Sequence, residues 1–289
     1  MMHMTYTGSC LFNGTQYMCS SMSSVLDQKV SFYDHVLGLE DKITAGTAGG
    51  SSGFSDAKKG VNPTPSTSGN IQKKIYRYSP AIARASFSGP VPSVGFGDLL
   101  SAAINGTDVI TEMTFWNQSA LQVKVSKAKV SSLSISLKAG DVSHFSAEVV
   151  GAQYDATSGD APAAACAKLL TWDVCTVLAS TVSSDIASFD LTISNPTIPI
   201  YTAKWTTDTY TNGMMPQKIR LGMQEVTGTI GIYGPTLTPS NTVGTVKFDL
   251  NGVGKTLNCI FTTPTDNGSG GPYVRTISFV GANDTSAWS

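Results

Sequence analysis

The sequence predicts a mainly β protein: two tandem related β-sandwich or half-barrel units, one or two short helices and a long inserted loop. Three observations lead there. Short runs alternate apolar and polar residues with a period of two, helical periodicity is scarce, and the two halves of the chain resemble each other. Along the chain, the first regular feature is Cys10-LFNGTQYM-Cys19, followed by Thr44–Asn70, a Gly/Ser/Thr-rich stretch whose only large apolar residues are Phe54 and Val61. Such a segment cannot bury a core, so it is expected to be a long loop that orders only against another subunit. Phe96–Ile104 reads as a short helix, capped by Asp98 and stopped by Asn105-Gly106. Leu121–Val125 and, after a short break, Leu133–Leu137 alternate as half-buried strands do, with a turn at Lys138-Ala-Gly-Asp141. Asp155–Pro162 reads as a spacer, and the Ala-rich Pro162–Leu170 is open to either helix or loop. Val226–Ile230, Val246–Leu250 and Val274–Val280 complete the strands, with turns at Asn251-Gly252 and Asp266-Asn-Gly-Ser269.

The internal similarity runs in order through both halves. Cys10/Cys19 and Cys166/Cys175 share a spacing, at an offset of 156 that also brings Val30 to Ile186 and Asp34 to Asp190. Gly89-Pro90 falls on Gly234-Pro235 at 145, and Val150-Gly-Ala152 on Val280-Gly-Ala282 at 130. The offsets shrink as they would if the second copy lacked the Thr44–Asn70 insertion. The expected division is residues 1–152, carrying the loop at 44–70, and residues 153–289. Two similar units in one chain can take adjacent places in a ring, so three chains would give pseudo-six-fold symmetry.

Charge narrows the function. Only 13% of the 289 residues are charged, about half of what is usual, and the 19 basic and 20 acidic residues leave a net charge of −1. No basic footprint for gripping nucleic acid is present, and no apolar run approaches the roughly 20 residues that span a bilayer. Met1–Tyr6 lacks the basic start and apolar stretch of a signal peptide, which argues against ordinary export. A surface so poor in charge is then expected to be covered by neighbouring subunits.

The motifs of chemistry are weak. Gly252-Val-Gly-Lys-Thr256 ends like a phosphate-binding loop, but Asp249 stands where the first glycine belongs and a strand-like run follows, so it reads as a hairpin turn. Gly49-Gly-Ser51-Ser-Gly53 has the letters of a nucleophile elbow without the strand and helix that would hold Ser51 strained. His3, His35 and His144 lie far apart, and Cys-x₈-Cys is not a zinc spacing. Accordingly no catalytic, cofactor-binding or metal residue is assigned, no cofactor is expected, and the chain is not expected to be an enzyme. Cys10/Cys19 and Cys166/Cys175 are open to two readings, disulfides clamping hairpins or small buried thiols, with Cys259 left over. Phe115-Trp116, Trp172 and Trp205 read as core or interface anchors, with a sugar platform as the alternative.

Phe189-Asp-Leu-Thr-Ile-Ser-Asn-Pro196, then Met215-Pro-Gln-Lys-Ile-Arg-Leu-Gly-Met-Gln-Glu-Val-Thr-Gly-Thr-Ile230, with Leu170-Thr-Trp172 upstream, resembles the central region of the tail tube proteins of long-tailed bacteriophages. The likeness spans about 165–235 and reaches the first half through the repeat. It implies β-sandwich domains whose sheets join between neighbours into a barrel around a channel, with loops and arms that clasp the next ring; Thr44–Asn70 takes the place of such an arm. It further implies a structural virion protein of the tail, assembled in the host cytoplasm, that stacks in rings as the conduit for viral DNA. Its partners would be copies of itself and the tape measure, terminator and baseplate proteins, with DNA passing unbound and no membrane involved. The alternatives are a carbohydrate-binding β-sandwich adhesin and a terminator or baseplate ring that does not stack.

Overall fold

The computed structural model describes residues 8–27, 30–34, 74–78, 81–115, 121–158, 168–180, 185–201, 215–233, 242–262, 265–267, 274–281 and 288. The loop expected at Thr44–Asn70, Cys166, Trp116 and Trp205, and most of Pro162–Leu170 lie outside these residues. Contacts divide the chain into two compact units. The smaller, residues 27–81 with 204–215, contains β4 (Val30–Asp34) and β5 (Lys74–Tyr78), paired antiparallel from Val30↔Tyr78 to Asp34↔Lys74.

The larger unit holds everything else described. Its first half contains β1 (Gly8–Phe12), β2 (Thr15–Cys19), β3 (Ser21–Asp27), β6 (Ile82–Pro90), helix α1 (Phe96–Asn105), β7 (Val109–Phe115), β8 (Leu121–Lys138) and β9 (His144–Ser158). Its second half contains β10 (Cys175–Ala179), β11 (Ile186–Ser194), β12 (Thr197–Ile200), β13 (Lys218–Leu221), β14 (Glu225–Tyr233), β15 (Thr242–Leu250), β16 (Gly254–Phe261), β17 (Thr265–Asn267) and β18 (Val274–Gly281). The fold is mainly β, as the alternation predicts.

The pairing order repeats. In the first half it runs β2–β1–β7–β8–β9–β6–β3, and in the second β10–β15–β16–β18–β14–β11. Taken in chain order, β3, β6, β7, β8 and β9 recur as β11, β14, β15, β16 and β18, and the two-stranded sheet β4–β5 recurs as β12–β13. This overturns the match of Val30–Asp34 (β4) with Ile186–Asp190 (β11): the strand-pairing order makes β3, not β4, the counterpart of β11. Each half has its own aromatic core. Phe12, Tyr17, Phe87, Phe96 and Phe145 cluster in the first, with Tyr17 and Phe145 centroids 5.5 Å apart. Phe189, Phe248, Phe261, Phe279 and Trp288 form the second, with Phe189 and Phe279 stacked at 6.1 Å. The repeated Val-Gly of β9 and β18 has a packing reason. A Cβ at Gly151 would collide with Val125, and one at Gly281 would press on Val226 and Leu257.

Strand β8 joins the halves. Leu121–Ala128 pairs with β7, and on the same edge Ser132–Lys138 pairs antiparallel with β11, while β9 follows its other edge throughout. The break foreseen between two separate runs is absorbed into this single 18-residue strand by register shifts and by Lys127 at φ 48°. Three further expectations need correction. Helix α1 starts after Gly95 at φ 86°, and Asp98 lies inside the first turn without capping it; its carboxylate accepts from Thr15 Oγ1 at 3.4 Å. Asp155–Ser158 is not a spacer, because β9 extends through it to pair Ser158 with Leu121. Asp266 and Asn267, expected in the turn Asp266–Ser269, lie instead in the short strand Thr265–Asn267 on β18, and the rest of that turn is outside the described residues. The stop at Gly106 is as expected: at φ 62° its N–H donates to the Ala102 carbonyl.

Candidate functional site

Alternation sends one side of each strand to the aromatic cores and leaves the other side outward. On the outward side Ser and Thr are frequent, and the registers align many of them across strands and across both halves. One row reads Ser88 (β6), Ser146 (β9), Ser134 (β8), Thr192 (β11), Thr227 (β14), each directly opposite the next. A parallel row reads His144, Ser136, Asp190, Thr229, Ser278, running from β9 to β18. At the β3 end, Ser23 Oγ and Ser86 Oγ share a hydrogen bond of 2.7 Å. At the junction of the halves Ser134 Oγ and Thr192 Oγ1 lie 3.1 Å apart, and Thr229 Oγ1 donates to Asp190 at 3.2 Å. Ser136, Ser146, Asp190, Thr227 and Ser278 are exposed.

Charge on this face is sparse and of mixed sign. Arg84 is bonded to Glu148 at 3.0 Å, so its guanidinium is already engaged by a carboxylate. Asp190 and Glu225 add negative charge, and Lys138 lies at the end of β8. The result is a broad hydroxyl surface with no cluster of free cations among the described residues. Ser and Thr on these strands leave hydroxyls that can hydrogen-bond to water.

A polar knot at the end of α1 ties the two halves together. Asn195, 2% exposed, donates through Nδ2 to the carbonyls of Ala103 at 2.8 Å and Val130 at 3.1 Å. Gln224 Nε2 donates to Ala103 and Ile104 carbonyls at 3.0 and 3.2 Å and to Asn195 Oδ1 at 2.9 Å, and Trp288 Nε1 closes the set on Gln224 Oε1 at 2.9 Å. Helix carbonyls left over at a C-terminus thereby find donors from the other half of the chain. Nearby, Gly228 is required by close approach, since a Cβ there would strike the Phe279 ring and the Asp190 carbonyl. Asn195, Gln224 and the Glu225-Val-Thr-Gly228 segment all lie in the stretch that carries the sequence resemblance.

The weak chemical motifs stay weak in three dimensions. Asn251 and Gly252, at φ 54° and 91°, form the tight turn between antiparallel β15 and β16, and Gly252 N–H donates to Asp249 Oδ1. No helix N-terminus follows to receive a phosphate. Ser51, His3 and His35 lie outside the described residues, and His144 opens β9 opposite Pro90 and Ser136. Among the described residues no cluster of His, Cys, Asp or Glu is arranged to hold a metal ion. Cys10, Cys19, Cys175 and Cys259 form no disulfide, and Cys10 and Cys19 are buried, which favours the buried-thiol reading of that pair. Burial pushes Cys19 up to about 12 and Cys259 to about 11, and it raises Cys10 together with the nearby Cys19. Trp172 sits half-buried on a single 3₁₀ turn, Trp172–Val174.

The uncovered face and the interhalf knot escape sequence reading because each depends on which strands become neighbours. No curated protein is significantly similar to the chain. A family model described as phage tail tube protein matches residues 32–284, which takes in the chain from within β4 through β18, the Asn195 and Gln224 amides and most of the hydroxyl rows. With most of its length inside that match, the chain belongs to the phage tail tube protein family.

Proposed function

We propose that this protein assembles into rings that stack as the tail tube of a virion, and that the hydroxyl face is the wall past which viral DNA slides. The observation that supports this reading is the pair of cross-strand rows, rich in Ser and Thr, that run from β6 and β9 through β8 and β11 to β14 and β18. Proteins that hold DNA use free Lys and Arg to displace counterions from phosphates. Hydroxyls keep their water and offer no such exchange, and Asp190 and Glu225 repel phosphate. A conduit needs that combination.

Residues 1–152 and 153–289 act as tandem units occupying neighbouring places in the ring. Each chain contributes eight strands in the order β3–β6–β9–β8–β11–β14–β18–β17. Three chains with pseudo-six-fold symmetry supply a barrel whose backbone circle is about 37 Å across at the usual spacing of ~4.8 Å per strand, before any tilt. That is wider than a DNA duplex. Thr44–Asn70 serves as the arm that clasps the adjacent ring, and the remaining low-charge surface is covered by sister chains and by tape measure, terminator and baseplate proteins. The chain works in the virion tail after assembly in the host cytoplasm, by association and not by chemistry.

Negative-stain electron microscopy of the purified full-length protein, and of particles carrying it, tests the reading. Rings or tubes with a regular axial repeat are the expected result; monodisperse monomers under every assembly condition, with no tube in the particles, would overturn it.

A further inference from the structure

We propose that the outer rim of the second half is the docking surface for the first half of another copy, with β17 receiving β3, and with Val280, Ile260 and Val243 receiving β5. The proposal rests on the tube reading and deepens it, because it names the contact that closes the ring. It is argued from a contact the chain already makes with itself.

Within one chain the Ser132–Lys138 segment of β8 takes β11 along its edge. The counterpart of that segment is β17. Thr265 to Asn267 pair with Thr276 to Val274 of β18, as Ser134 to Ser136 pair with Ser146 to His144 of β9. The Val-Gly repeat at Val150 and Val280 sets the same spacing. The counterpart of β11 is β3: it flanks β6 as β11 flanks β14, with Ser23 bonded to Ser86 where Asp190 faces Thr229. Among the described residues β3 pairs only with β6 and β17 only with β18, so each presents one further backbone edge. An open edge is a template for pairing with another chain.

A second observation points to the same place. On the outward side of β9, Val150 and Ala152 are buried, packed with Ile219 of β13 and with Ile82. The counterpart of Val150 is Val280, which is 47% exposed. Opposite it stands Ile260, 50% exposed, and opposite that Val243, 76% exposed, making a cross-strand row of branched apolar side chains. The same position that is covered in the first half is thus bare in the second. The element that covers it in the first half is β13, and the chain-order counterpart of β13 is β5, with sequence KIYRY. A head-to-tail contact between unlike surfaces generates a ring when the rotation closes.

The full-length protein with Val25→Cys and Thr265→Cys tests this. These positions are the counterparts of Thr192 and Ser134, which face each other across the junction of the halves. Both are exposed. Oxidation is expected to give a ladder of disulfide-linked multimers on a non-reducing denaturing gel, absent from either single variant. Ile260→Lys is expected to keep the far-UV circular dichroism and melting temperature of the parent while losing rings and tubes in micrographs. Tubes that form from the double-cysteine protein without cross-linking, or from Ile260→Lys as from the parent, would overturn this contact and leave the tube reading standing. Cross-linked multimers without tubes would support the contact and count against stacking. Absence of both would overturn both.

Discussion

Gln224 donates a 2.9 Å hydrogen bond to Asn195, and the two amides together reach the Ala103 and Ile104 carbonyls at the end of α1. The helix belongs to the first half of the chain and both amides to the second, so the contact is a clasp between the two halves. Its partners are buried away from water, which makes the loss of a donor costly.

Asn195→Ala is expected to destabilise the fold by about 1–3 kcal/mol, because the Ala103 and Val130 carbonyls lose a donor in a buried setting. Gln224→Ala, at a half-buried position, should cost less. Equilibrium denaturation by urea checks both, and a double-mutant cycle should show coupling between them. Additive losses would mean that the two side chains act separately.

Gly228→Val is expected to be among the most damaging single changes. The new side chain has to displace the Phe279 ring from its stack on Phe189. The expected loss is at least about 1–3 kcal/mol, read as a fall in melting temperature and in soluble yield.

Stability should decline at alkaline pH. The raised Cys10 and Cys19 thiols keep their protons in the native state when the unfolded chain begins to lose them near pH 9. Their contribution is therefore complete below about pH 9 and is lost as pH climbs toward the folded value of about 12 for Cys19. The slope is about 1.4 kcal/mol per pH unit per thiol. A Cys19→Ala protein should show a shallower decline between pH 9 and 11. In the native parent at pH 8, a thiol reagent should leave Cys10 and Cys19 unmodified until denaturant is added.

Much of the fold was legible in the sequence because half-buried strands announce themselves by alternation. Leu133–Leu137 and Val274–Val280 lie in strands as read. Features set by long-range neighbours were not legible. Asn195 and Gln224 find carbonyls 92 and 121 residues away, and no local pattern distinguishes them from loop amides. The Asp98 cap was displaced because Gly95, with its positive φ, makes the tight entry and accepts the Tyr17 hydroxyl at 3.0 Å. The two runs of β8 were read apart because the residue that bridges them, Lys127, adopts a conformation unusual for lysine. The Ser/Thr richness was visible as low charge, but its gathering onto one face required the registers of β6, β9, β8, β11 and β14.

Adding fixed positive charge to the hydroxyl face should separate assembly from passage. Ser136→Arg with Thr227→Arg changes two exposed side chains, so stability should stay within about 0.5 kcal/mol for each. Tubes should form, while particles carrying the variant eject DNA more slowly, with an infectivity loss of at least about tenfold that is partly relieved by added salt. Unchanged ejection kinetics would remove the face from the conduit.

The most direct measurement is a cryo-electron microscopy map of the assembled tube, from which the distance of each strand face to the tube axis can be read. The account predicts Ser134, Ser136, Thr192 and Thr227 on the inner wall with the aromatic cores behind them. A map with these side chains on the outer surface, or with the sheet of β8 and β11 turned away from the lumen, would contradict it.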